Sequence, residues 1–199
     1  MATGKRTPAP APRRRAPRPS VTFRTRERVV ESAGEDLQAR AVELARAGRH
    51  AEAVQVVSEA LSAGGLGAAQ QFALLELRAE SHIAAGALDL ADADARAMHA
   101  LARRSPALRA RACNCEALVA ARRGDANAAV AAATTALDAA RRCRDPALEA
   151  ISLLRLADAQ YRTFDGHQSA LDNAARAATI FERLGDRARQ GQARCVQGF

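Results

Sequence analysis

The stretch Ala45-Arg46-Ala47-Gly48-Arg49-His50-Ala51-Glu52-Ala53 decides the fold, because its glycine followed five residues later by an alanine returns at a fixed interval. Gly48 with Ala53, Gly86 with Ala91 and Gly124 with Ala129 stand 38 residues apart each time, and a looser fourth copy follows at Asp165-Gly166 with Ala170. Self-similarity at such a period marks a repeat array, in which each unit buries its apolar face against the next. Arg49 and His50 do not recur with the glycine, so the stretch is a turn between paired helices and not a site.

Between these marks, apolar residues fall three and four apart, which places them on one face of a helix. Leu37, Ala41, Leu44 and Ala45 form such a face up to Gly48; Ala53, Val54, Val57, Ala60 and Leu61 form the next, before Ser62-Ala63-Gly64-Gly65 breaks the chain. Phe72, Leu75, Ala79, His82 and Ile83 carry a third helix to Gly86, and a fourth spans Leu88 to about Arg103. Ser105-Pro106 and Asp145-Pro146, 40 residues apart, open the fifth and seventh helices. The Ser or Asp side chain accepts a free backbone N–H, and proline lacks the N–H that goes unused in a first turn. Leu184-Gly185-Asp186 opens a last helix running to Phe199. The spacing predicts an all-α repeat domain over 29–199, with helix-turn-helix units near 36–65, 68–104, 105–144 and 145–184 and a terminal helix over 186–199.

The net charge of +8 sits in one place. Residues 1–28 hold nine Lys and Arg against the single acid Glu27, so the rest of the chain is formally neutral. Pro8-Ala9-Pro10-Ala11-Pro12 followed by Arg13-Arg14-Arg15 and Arg18 has neither a helical period nor enough bulky apolar surface to offset ordering entropy, and a disordered Arg/Pro-rich tail is expected. Such a tail serves as a solubilising extension, as an electrostatic contact to nucleic acid or an acidic surface, or as a transit peptide; no aromatic is interleaved between Pro8 and Arg18 for base stacking, and the prolines spoil an amphipathic helix. The hydrophobic fraction of 48% is mostly Ala and Leu, with 3% aromatics and no Trp. No window approaches the length of an uncharged membrane span, and no apolar secretory run stands at the N-terminus. Four cysteines in a helical chain of this size do not make a disulfide scaffold, so a reducing, cytoplasmic setting is expected.

Over residues 36 to about 190 the pattern resembles the tetratricopeptide repeat. That family places a small residue on helix A, a large one three later, a turn glycine, a small residue on helix B and another seven beyond. The matching residues are Ala41, Leu44, Gly48, Ala53 and Ala60; Ala79, His82, Gly86, Ala91 and Met98; Ala117, Ala120, Gly124, Ala129 and Ala136; and Asp158, Tyr161, Asp165, Ala170 and Ala177. The period of 38 to 41 exceeds the family's usual ~34, as in tetratricopeptide-like modules of bacterial regulators. The resemblance implies a right-handed α-solenoid of about four repeats, capped by a terminal helix or continued by further repeats beyond Phe199. Its A helices would line a concave groove for a partner segment, presenting Gln38, Glu76, Glu80, Arg111, Asn114, Arg155 and Arg162. The acidic half of that set lies toward the N-terminus, and the cationic half suits an acidic segment or chain-terminal carboxylate. The family's carboxylate-clamp positions are unmatched, with Val42 and Leu77 where polar residues are needed.

No residue pattern indicates catalysis, a metal or a cofactor. The glycines are isolated turn residues, and neither a phosphate-binding loop nor a nucleophile elbow occurs. Cys113 and Cys115 point about 200° apart on one helix and read as buried, inert thiols, and Cys143 and Cys195 are single cysteines with no partner motif. His50, His82, His99 and His167 share no ligand spacing, and Asp89, Asp92 and Asp94 suit the positive end of a helix. A non-enzymatic protein-interaction scaffold is therefore expected, with a protein or peptide partner bearing an acidic segment and no membrane contact. The alternatives are the regulatory module of a larger bacterial signalling protein, such as a nucleotide cyclase or transcription regulator, and nucleic-acid or acidic-surface binding through the tail.

Overall fold

Gly48, Gly86 and Gly124 take φ of 73°, 76° and 80°, the left-handed conformation that ends a helix without a Cβ clash. At each turn the residue after the glycine donates its N–H to a carbonyl five residues back: Arg49 to Leu44 at 2.9 Å, Ala87 to His82 at 2.8 Å and Asp125 to Ala120 at 3.0 Å. The sequence repeat is thus a repeat of one helix-ending hydrogen bond. The computed structural model describes residues 36–198; the tail residues Arg13, Arg14, Arg15 and Arg18, and Phe199, lie outside the described residues.

Among the described residues the chain is all helical: α1 (36–46), α2 (His50–Ala63), α3 (Ala68–Ala84), α4 (Leu88–Leu101), α5 (Pro106–Arg123), α6 (Ala126–Cys143), α7 (Pro146–Tyr161), α8 (His167–Leu184) and α9 (Arg187–Val196). Four helix starts are capped by side chains. Ser105, Asp125, Asp145 and Asp186 accept from the backbone N–H of Leu108, Ala128, Leu148 and Arg189 at 3.3, 3.0, 3.1 and 3.0 Å. No helix among the described residues is long and apolar enough to cross a membrane.

The small residues of the repeat pattern are the points of closest packing. Ala41, Ala53, Ala79, Ala91, Ala129, Ala136, Ala170 and Ala177 are all fully buried, and Met98 joins them. Phe72, Leu74, Leu153 and Phe181 fill the spaces between successive pairs. Besides chain neighbours, only odd-numbered helices meet among α2–α9: α3 with α5, α5 with α7, and α7 with α9. The odd helices therefore form a continuous layer, while the even helices stand apart. Helices that converge on one side and diverge on the other make the convergent layer concave.

The fourth repeat departs from its expected register. Asp158 does not take the small-residue position: the buried residue is Ala157, which lies as far beyond the cap Asp145 as Ala117 lies beyond Ser105. Tyr161, expected in the core, is 54% exposed, its ring 5.0 Å from that of His167. The turn at Gly166 is also of another kind, with φ of −88°. Its glycine is needed for close approach, since an added Cβ would stand 2.2 Å from the Gln160 carbonyl oxygen and from Thr163 Oγ1. The left-handed turn returns only at Gly185, where Asp186 donates to the Phe181 carbonyl at 2.9 Å. The terminal helix stops at Val196, short of Phe199.

A polar cluster lies inside the array around Asp94. Asp94 is buried and takes a two-point contact from Arg78, at 2.9 and 2.6 Å, and Arg78 donates a third bond to Ser58 Oγ at 3.0 Å. These bonds tie α2, α3 and α4 together. The helix dipole therefore does not account for Asp94, whose reason is its arginine. Asp89 and Asp92 remain at the helix start, where Arg123 reaches both at 2.6 and 3.7 Å.

Candidate functional site

On the odd-helix layer a groove of about 470 Å³ opens between α3, α5, α7 and α9. Residues 111, 114, 115 and 118 of α5 follow one another at spacings of three, one and three and form one of its walls. Glu76 and Glu80 contribute from α3, Ile151 and Arg155 from α7, and Arg189 from α9. Five of the seven residues expected in the groove are thus brought together: Glu76, Glu80, Arg111, Asn114 and Arg155. Gln38 is half-buried on α1 and does not line it. Arg162 caps the end of α7, exposed and paired with Asp158 at 3.4 Å, away from the groove.

The charges in the groove are not divided into an acidic and a cationic half. Arg111 forms a two-point ion pair with Glu76, Nε donating at 3.0 Å, and its guanidinium lies 4.9 Å from the centre of the Phe72 ring. The bond to Glu76 holds the Arg111 proton more firmly than usual. Glu80 has a side chain that reaches solvent, but the walls remove enough water, with Glu76 adding its charge, to push its carboxyl above the ordinary value. Arg155 is shifted down, chiefly by desolvation and against the attraction of Glu80. Arg189 is held by Asp186 of its own helix at 2.7 Å. Among the described residues Arg155 makes neither a hydrogen bond nor an ion pair.

No protein-family model matches the chain, and no curated protein matches it. The site must be read from its own chemistry.

Asn114 is the most constrained polar group there. Ser152 Oγ donates to the Leu148 carbonyl at 2.9 Å, so its lone pair accepts from Asn114 Nδ2 at 3.0 Å. In this amide orientation the buried Oδ1 has no hydrogen-bond partner. A buried acceptor without a partner carries a desolvation penalty of about 1–3 kcal/mol. What the groove offers a ligand is an unpaired, desolvated cation, Arg155.

Several groove residues escaped the sequence pattern. Cys115 and Leu118 lie on the same α5 stripe as Arg111 and Asn114, so helical spacing alone was a sufficient signal for them. Arg189 had none, because only the curvature of the array carries α9 round to face α3. Cys115 is buried, and burial with nearby Glu80 and Glu76 pushes its thiol up to about 12. Its burial agrees with the sequence expectation, and a thiol so raised is a poor nucleophile. Cys143 is half-buried and Cys195 is exposed.

Proposed function

We propose that this chain is a protein-interaction scaffold with no catalytic activity of its own, which receives an extended partner segment in the odd-helix groove. The observation that carries the proposal is Arg155, a desolvated guanidinium in the groove wall that makes no hydrogen bond or ion pair among the described residues. A peptide ending in a free carboxylate, or carrying an acidic side chain, supplies its partner: the carboxylate takes the planar fork of Arg155. Arg111 is already neutralised by Glu76, so Arg155 is the determining cation. The apolar residues Ile83, Leu118 and Ile151 supply contact for the rest of the segment.

The test is selection of a random peptide library with free C-termini against the full chain, followed by titration of the enriched peptides. Arg155→Glu is expected to weaken their binding at least about tenfold, the loss of a charge-assisted hydrogen bond, with helicity unchanged. Amidating the peptide terminus or neutralising its acidic side chain is expected to do the same. Peptides that bind Arg155→Glu as tightly as the parent, or a selection that enriches nothing, would reject this site.

A further inference from the structure

The second large recess of the molecule lies on the other side of α5, in the gap between the diverging helices α4 and α6. It has a volume of about 570 Å³ and opens to solvent. Three donor side chains converge at it. His99 comes from the last turn of α4; Cys113 and Glu116 stand three apart on α5 and share one face. Their ligand atoms all lie within 4.8 Å of one another, with His99 Nε2 3.0 Å from Glu116 Oε2. His99 and Glu116 reach solvent, and Cys113 is buried at the back.

We propose that His99, Cys113 and Glu116 form a binding site for a divalent transition-metal ion, zinc being the best match. One imidazole, one thiolate and one carboxylate are a borderline-soft set suited to zinc or cobalt and unsuited to calcium or magnesium, which take oxygen ligands. Around a tetrahedral zinc with bonds of about 2.0–2.3 Å, donor atoms stand about 3.3–3.8 Å apart. The observed cluster therefore needs its shortest separation to open by a few tenths of an ångström and its longest to close by about one ångström. Glu116 and His99 are free enough to make that movement, while packing holds Cys113 as the fixed point. The open recess leaves the fourth position to water.

The charges are consistent with such an ion. A thiolate and a carboxylate neutralise a divalent cation, and Arg103 and Arg109 line the recess beside the Glu116 carboxylate. Burial, with Glu116 beside it, raises the Cys113 thiol above its ordinary value, so the thiol is protonated at neutral pH and the arriving ion displaces that proton to solvent. One sulfur–metal bond forms, one S–H bond breaks, and no oxidation is involved. The site is independent of the groove, and the test of either leaves the other standing.

The experiment is a titration of the full reduced chain with Co²⁺, followed by competition with Zn²⁺. One equivalent is expected to bind with the near-ultraviolet thiolate-to-cobalt charge-transfer band and the visible bands of a four-coordinate ion, and zinc is expected to abolish both. Cys113→Ala should remove the charge-transfer band, while Cys115→Ala, Cys143→Ala and Cys195→Ala each keep it. His99→Ala and Glu116→Ala should each weaken binding at least about tenfold, by comparison with the ~10–100-fold effect of groups one shell further out. Both positions are partly exposed, so these variants carry the test even if Cys113→Ala proves poorly folded by circular dichroism. A band that survives Cys113→Ala, binding unchanged in Glu116→Ala, or no band in the parent chain would overturn the proposal.

Discussion

Helix α5 lines two recesses, and the two cysteines at its centre are divided between them. Cys115 stands with Arg111, Asn114 and Leu118 on the groove side; Cys113 stands with Arg109 and Glu116 on the side of the α4–α6 gap. The groove face lies where helices converge, so its charges are crowded, partly paired and partly desolvated. The gap face lies where helices diverge, and its polar groups come from different helices and keep access to water. One helix thus builds two chemically different recesses because its neighbours are packed closely on one side only.

Thiol reactivity is the sharpest way to break that comparison. A thiol at about 12 instead of 9.0 carries about a thousandfold less thiolate at neutral pH. Alkylation followed by peptide mass spectrometry should therefore find Cys195 modified first and Cys115 last, with Cys113 between them. Zinc should slow Cys113 and leave Cys115 unchanged. Early labelling of Cys115 would mean that the groove wall is not packed as described.

A smaller effect isolates the polar link on the groove side. Ser152→Ala removes the acceptor for Asn114 Nδ2 and leaves a second buried amide atom unpaired, so denaturant unfolding should show a loss of about 1–3 kcal/mol. Adding Asn114→Ala should recover part of it, because the stranded amide is then gone; additive losses would show that the two side chains do not interact.

The smallest effects are those of pH, and on α3 they have opposite signs. Burial lowers His82 from its ordinary 6.5, against the attraction of Asp94, so the folded chain binds fewer protons than the unfolded chain near that pH. Stability from this group is complete above 6.5 and falls as the medium is acidified through it. Glu80, raised by desolvation, binds more protons when folded, so its contribution rises as pH falls toward 4.5. In a melting-temperature series from about pH 7.5 to about pH 4.5, His82→Gln should flatten the upper part of the profile and Glu80→Gln should flatten the rise that Glu80 contributes near its lower end. Identical profiles for parent and His82→Gln would show that His82 is not protonated at the cost of the fold.

Much of the architecture was legible because the features that specify it are local. A left-handed glycine, a Ser or Asp cap before proline, and alanines at helical spacing act within a few residues of one another, and Gly48, Ser105 and Asp145 each do what their neighbours imply. The register failed at Asp158 and Tyr161 because the fourth turn replaces the left-handed glycine with a close approach at Gly166, which displaces the count from the turn. Phase measured from the cap Asp145 points instead to Ala157. Asp94 misled for a different reason: its partner Arg78 lies 16 residues earlier on another helix.

By itself the sequence determined an all-α repeat array, the ends of most of its helices, the alanines at their contacts and five of the residues that line the groove. Tertiary structure alone decided that Arg111 is spent on Glu76 while Arg155 is unpaired, that α9 carries Arg189 round to the groove, and that His99 meets Cys113 and Glu116. The physical reason is range: helix starts and stops are set by bonds between residues a few positions apart, whereas charge pairing and ligand convergence depend on how far the packed helices bring together side chains from different repeats.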